Sequence, residues 1–136
     1  MDAFGVRPRQ SRAMPDSIYK VEGVRVMECA AERIGLHGVR GGVDLIGEAR
    51  GHGADLVVIP AECLGDDFFR LRTGIAGEVI QKFVTYQVRL AILGDISRHV
   101  NDSSALRDFV REANEGSHCW FVTNREEMRK LLVLRS

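Results

Sequence analysis

Four carboxylates, an arginine, a threonine and two adjacent phenylalanines crowd the stretch 54–95, ADLVVIPAECLGDDFFRLRTGIAGEVIQKFVTYQVRLAILGD. Glu62, Asp66 and Asp67 follow one apolar run and Asp95 closes the next, so all four can face a common rim. An oxygen-only cluster would suit Mg²⁺ or Ca²⁺, yet acidic residues also start ordinary turns, and no metal or other cofactor is assigned. Arg72-Thr73-Gly74 stands at the mouth of a helical pattern, where free backbone N–H groups and the helix dipole attract an anion. Thr73 fits an N-cap there; beside Arg72 it also fits an anion site or a phosphoacceptor hydroxyl. Cys63 directly follows the strand and is the most exposed-looking thiol, with no base visibly paired to it. His37, His52, His99 and His118 lack ligand spacing. Phe68 and Phe69 are expected to split, one packing beneath the loop and one lying exposed as part of a protein-binding surface.

The elements that must position these groups follow from periodicity. Leu56 to Pro60 is an unbroken apolar run, the pattern of a parallel strand covered on both faces. Gly74 to Tyr86 carries a helical stripe of Ile75, Ala76, Val79, Ile80 and Phe83, with Glu78 and Lys82 paired on the wet side. Val88 to Leu93 is the next buried strand, ended by Gly94-Asp95. Upstream, Ile18 to Ala30 alternates around Glu22-Gly23, a hairpin signature. Glu32 to Gly42 is too glycine-rich for a helix interior and reads as a connection, with room for one short strand around Ile34. A first helix is expected over Val43 to Arg50, stopped by Gly51-His52-Gly53, with Gly47 allowing close approach to the sheet. Downstream, Ser103 or Ser104 caps a third helix ended by Gly116, and Cys119 to Val122 is the last strand, with Trp120 and Phe121 as core residues. Thr123 with Glu126 forms a capping box for a fourth helix burying Met128, Leu131 and Leu132.

This succession predicts one α/β domain over residues 18–136, a mixed, mostly parallel sheet with an N-terminal hairpin and about four helices. Residues 1–17, with Arg7, Arg9, Arg12, Pro8 and Pro15 and no apolar period, read as a disordered tail. Ligands of such sheets bind beyond the strand carboxyl ends. Three loops meet that description: Ala61 to Gly74, Asp95 to Ser103, and Thr123 with Asn124.

The chain has 136 residues, 45% of them apolar, enough for a single core without disulfide or metal. Nineteen basic residues balance nineteen acidic ones, so no bulk field draws the chain to nucleic acid or anionic membrane. Three cysteines, each in or beside an apolar run, fit buried thiols in a reducing cytoplasm. No apolar run reaches the roughly 20 residues of a membrane helix.

The runs ADLVVIPAE, FFRLRTGIAGEVIQKF, RLAILGD and ALRDFVREAN resemble a bacterial family known only as a conserved domain of unknown function, over roughly Tyr19 to Leu132. More distantly the chain resembles STAS domains, the fold of anti-sigma factor antagonists and of sulfate-transporter tails. Those begin with a strand pair, alternate helix and strand, and carry a phosphorylatable serine at the mouth of the second helix. Thr73-Gly74-Ile75-Ala76-Gly77 is similar to that stretch, with Thr73 at the acceptor position. The chain departs from the pattern in the acidic, two-phenylalanine segment before Thr73 and in Arg72, which replaces the usual serine or aspartate. With the neutral charge and the absence of a catalytic constellation, this STAS-like topology points to a regulatory or protein-binding module. Its surface around the second helix and the 61–74 loop is expected to engage a protein partner, with Glu62, Asp66, Phe68, Phe69, Arg72, Thr73, Gly74 and Asp95 as the expected binding residues. Two alternatives remain: a ligand-binding domain or enzyme for a polar or anionic small molecule, with Glu62, Thr73 and Asp95 converging at the strand ends, and a homodimer formed through a helix or sheet edge.

Overall fold

A computed structural model describes residues 16–31, 33 and 38–135. The tail 1–15 and the short strand sought around Ile34 lie outside the described residues. Five strands form one sheet in the order β1-β2-β3-β4-β5: β1 (Ser17–Val21), β2 (Val24–Glu28), β3 (Leu56–Pro60), β4 (Arg89–Leu93) and β5 (Cys119–Val122). The first two strands pair antiparallel, and each later strand joins its predecessor in parallel. Glu22 and Gly23 turn the hairpin at φ 51° and 78°. Those are the positive values a two-residue turn needs to match the strand twist.

Four long helices are present: α1 (Val39–Gly51), α3 (Ile75–Thr85), α5 (Ser104–Glu115) and α6 (Arg125–Arg135). Two single turns that the sequence reading lacked, α2 (Asp66–Phe69) and α4 (Ser97–Val100), bring the described helices to six. The strand order advances in one direction, so crossovers of one hand place α1, α3 and α5 on the same face of the sheet. Leu45, Val79, Phe83 and Leu106 accordingly bury against Met27, Val57, Leu90 and Ile92. The opposite face carries α6, whose Met128 and Leu132 cover Leu56, Val58, Ala91 and Trp120. No described helix is long and apolar enough to cross a membrane.

Two helix boundaries differ from expectation. The first helix starts at Val39 rather than Val43 and takes Gly41 and Gly42 into its interior. A Cβ on Gly42 would stand 3.1 Å from Val79 Cγ1 and 3.7 Å from Phe83 Cε1. The absent side chain thus lets α1 lie against α3, and that packing outweighs a propensity penalty of about 1 kcal/mol. Gly47 has no such contact; the close approach is made at Gly42, and to a helix rather than the sheet. At α6 the cap sits one residue later than Thr123 and Glu126: Asn124 Oδ1 accepts from the Glu127 N–H at 2.9 Å, and Glu127 Oε1 accepts from the Thr123 N–H at 2.7 Å.

The edge strands are treated differently. On β5, whose inner groups bond β4, the outward N–H and C=O belong to Phe121. The Asn114 side chain of α5 occupies both, with Oδ1 accepting from the Phe121 N–H at 2.7 Å and Nδ2 donating to its C=O at 3.1 Å.

Candidate functional site

Residues 61–74 are not an irregular loop but three successive turns: a 3-10 turn Ala61–Cys63, helix α2, and a second 3-10 turn Leu71–Thr73. This winding corrects the expectation for the two phenylalanines. Neighbours on a helical turn are separated by about 100°, not by the 180° of a strand, so both side chains can face inward. Phe68 is 1% exposed and Phe69 4%. Their rings meet edge to face at 5.1 Å, and Phe69 stacks on His99 of α4 with centroids 4.2 Å apart and planes within 13°.

That stack is the floor of a cleft of about 540 Å³ between residues 66–72 and 98–105. Two of the three loops singled out by sequence therefore converge. Asp66, Phe69, Arg70 and Arg72 come from the first, and Arg98, His99, Asp102 and Ser103 from the second. Arg98 donates to Asp66 at 3.0 Å across the cleft, and Arg70 donates to Asp67 at 2.7 Å. The Arg98 guanidinium holds the Asp66 carboxyl below its usual range. Among the described residues Arg72 has no carboxylate within ion-pair distance, so the cleft keeps an uncompensated cation at its rim. Burial, and then the nearby Arg98 and Arg70, depress the His99 pKa below its ordinary 6.5, while Asp66 pulls the other way. An anion at this rim would meet the unpaired Arg72 guanidinium, beside Arg70 and Arg98 already engaged by Asp67 and Asp66, with Asp66 and Asp102 also in the lining.

Thr73 and Gly74, expected at the site, do not line this cleft, and neither does Phe68. Gly74, at φ 76°, is the cap residue of α3, and Thr73 sits one place before it rather than at the cap. The Thr73 hydroxyl lies 2.8 Å from the carbonyls of both Asp67 and Arg70, to which it donates, and accepts from the Ile75 N–H at 3.2 Å. It ties α2 to the start of α3. Thr73→Ala is expected to lower stability by about 1 kcal/mol, the net value of the hydroxyl's hydrogen bonding, and Thr73→Ser to retain it, as read by urea denaturation.

The other carboxylates go elsewhere. Asp95 Oδ1 accepts from the Ser97 N–H at 2.9 Å and from its hydroxyl at 2.6 Å, starting α4 and holding the Asp95 carboxyl below its usual range. Glu62 opens on a second cleft of about 430 Å³ over the carboxyl ends of β2, β3 and β4, lined also by Glu28, Cys29, Gly94 and Arg125. The expected common rim of carboxylates is thus divided between two clefts and a turn. Among the described residues, no group of three or more His, Cys, Asp or Glu could hold a metal ion.

A family model described as a domain of unknown function, DUF4180, matches residues 21–132. The chain belongs to that family. Neither a curated protein nor a solved structure matches it.

In this DUF4180 domain the second cleft holds groups that sequence reasoning missed. Glu28 receives a bidentate pair from Arg125 and a 2.5 Å hydrogen bond from the Tyr19 hydroxyl. Burial works against the Glu28 charge, but the bonds from Arg125 and Tyr19 outweigh it and leave the pKa below its usual value. Residues 28 and 125 are too far apart in sequence for any local pattern to link them. The only signal was that each borders the carboxyl end of a strand. Cys29, also at this cleft, has its thiol pushed up to about 12 by burial. Cys63 is buried as well, its Sγ 3.5 Å from the carbonyls of Ala30 and Ala31. The raised Cys29 thiol lacks the thiolate character that nucleophilic attack requires.

Proposed function

We propose that this DUF4180 domain is a regulatory, protein-binding module that seats an acidic segment of its partner between residues 66–72 and 98–105. The single observation that carries this reading is Arg72 standing without a carboxylate partner at the rim of a cleft whose other guanidiniums, Arg70 and Arg98, are held by Asp67 and Asp66. Interfaces favour arginine because its planar fork binds carboxylate in two places. The stacked Phe69 and His99 rings supply a rigid floor that costs no ordering on binding. The regulatory part rests on the STAS resemblance, with its strand pair followed by alternating helices and strands and its threonine at the mouth of α3.

A small-molecule reading is supported by the second cleft, at the strand ends where α/β sheets place ligands. There Arg125 is engaged by Glu28 and Glu62 adds a negative charge. That cleft suits a polar or cationic molecule, and an anion suits the first.

Titrating ¹⁵N-labelled protein with a glutamate-rich hexapeptide tests the first reading. Amide shifts are expected to gather at 66–72 and 98–105 and to vanish in Arg72→Glu. Absence of shifts at millimolar peptide would overturn it. Equal shifts with inorganic phosphate would move the assignment to a small anion.

A further inference from the structure

The outer edge of β1 presents backbone groups that its own chain leaves unused. The two-residue turn at Glu22-Gly23 makes Val21 and Val24 a hydrogen-bonded pair, and Tyr19 with Val26 and Ser17 with Glu28 follow by alternation. Ile18 and Lys20 therefore point their N–H and C=O away from β2. Among the described residues nothing bonds to them. At the opposite edge Asn114 takes both outward groups of Phe121, and Glu127 accepts from the Thr123 N–H. Among the described residues, side chains block the middle of the β5 edge and nothing blocks that of β1, which favours strand addition at β1.

We infer that the occupant is a second copy of this chain, with β1 pairing antiparallel to its counterpart about a two-fold axis through Ile18 and joining two sheets into one. The charges choose this register. Within the chain Lys20 lies opposite Arg25, a like-charge pair that is unfavourable in an antiparallel ladder. Centring the axis on Ile18 sets Lys20 of each copy opposite Asp16 of the other, so two opposite-charge pairs flank the dyad. Asp16 keeps its bonds to the Ala30 N–H and Arg33, and Lys20 extends that network. Ile18, at 36% one of the few large apolar side chains left exposed, meets its own copy on the axis. About six new backbone hydrogen bonds form, two at each outward pair. An isologous contact of this kind closes on itself and does not propagate.

A five-residue seam is smaller than a standard interface of about 800 Å² per partner, so the dimer dissociates on dilution. Sedimentation equilibrium of the full chain is expected to show twice 15.2 kDa at high concentration and 15.2 kDa when dilute. Lys20→Glu sets like charges against Asp16 of the copy and should weaken the dimer roughly tenfold. The same change puts an opposite charge beside Arg25, so the monomer keeps its fold. Ile18→Cys should cross-link under oxidation, since Cα atoms of a hydrogen-bonded pair stand about 5.5 Å apart. Leu134→Cys, at the exposed end of α6, should not. The inference is overturned by a wild-type chain that stays at 15.2 kDa up to about 1 mM, the weak limit of ordinary affinities. It is equally overturned by a Lys20→Glu protein that dimerises undiminished, or by cross-linking at 134 in place of 18.

Discussion

Phe69→Ala is expected to lower the free energy of unfolding by about 3–5 kcal/mol, the range for removing a buried phenylalanine and leaving a cavity. Phe69 touches two different things, Phe68 in the core and His99 in the cleft, so the loss should appear in two measurements. Urea denaturation reports the stability. A proton NMR titration reports His99, whose pKa should climb toward 6.5 as water replaces the ring that now desolvates it. The sign in the wild type follows from the depressed value. The unfolded chain binds the His99 proton more readily than the folded one, so this group's contribution is intact above pH 6.5 and is lost as the pH falls from there to its lower folded value. The variant should lose that part of its pH dependence. A Phe69→Ala protein with unchanged stability, or with His99 titrating as before, would show that the stack does not form the cleft floor. If alanine prevents folding, Phe69→Leu retains most of the volume and leaves the His99 readout available.

Asn114→Ala should cost about 1–3 kcal/mol, because it removes at once the partners of both the N–H and the C=O of Phe121, each bond worth about 0.5–1.5 net once water takes its place. The side chain is small and its removal leaves little cavity, so nearly all of the loss reports hydrogen bonding. Asn114→Asp separates the halves: the carboxylate still accepts from the Phe121 N–H but cannot donate to its carbonyl, and the loss should be intermediate. Hydrogen exchange at Phe121 should accelerate in the alanine variant, since the amide then faces solvent on an open edge. An unchanged exchange rate would contradict the edge-closing role. The variant also creates a second open edge, so light scattering should show association beyond a dimer at high concentration.

The candidate site was legible in part. Asp66, Phe69 and Arg72 do line one cleft, and the loops after β3 and β4 do meet there. Arg98 and His99 were missed as members because α4 is a single turn with no periodicity to mark it, and its start is set by Asp95 capping Ser97. Thr73 is not the N-cap its type suggested: Gly74 takes that place, and the hydroxyl bonds the Asp67 and Arg70 carbonyls, which depend on how α2 winds.

Pattern in the chain was enough for the order of the strands and the four long helices, the hairpin at Glu22-Gly23, the three buried parallel strands and a serine cap at 103 or 104; the Leu106 N–H, donating at 3.0 Å, selects Ser103. These are short-range matters: apolar period, turn chemistry and capping act within a few residues and leave their mark in the chain. The tertiary structure alone decided the rest. It decided that α1 begins within glycines, because Val79 lies where a side chain would be. It turned both phenylalanines inward, because 66–69 winds as a helix against the core. It joined Glu28 to Arg125 and divided the carboxylates between two clefts. It blocked one sheet edge with Asn114 and, among the described residues, left the other unblocked. Each of these rests on groups far apart in sequence that meet only when the layers pack, and periodicity carries no information about such meetings.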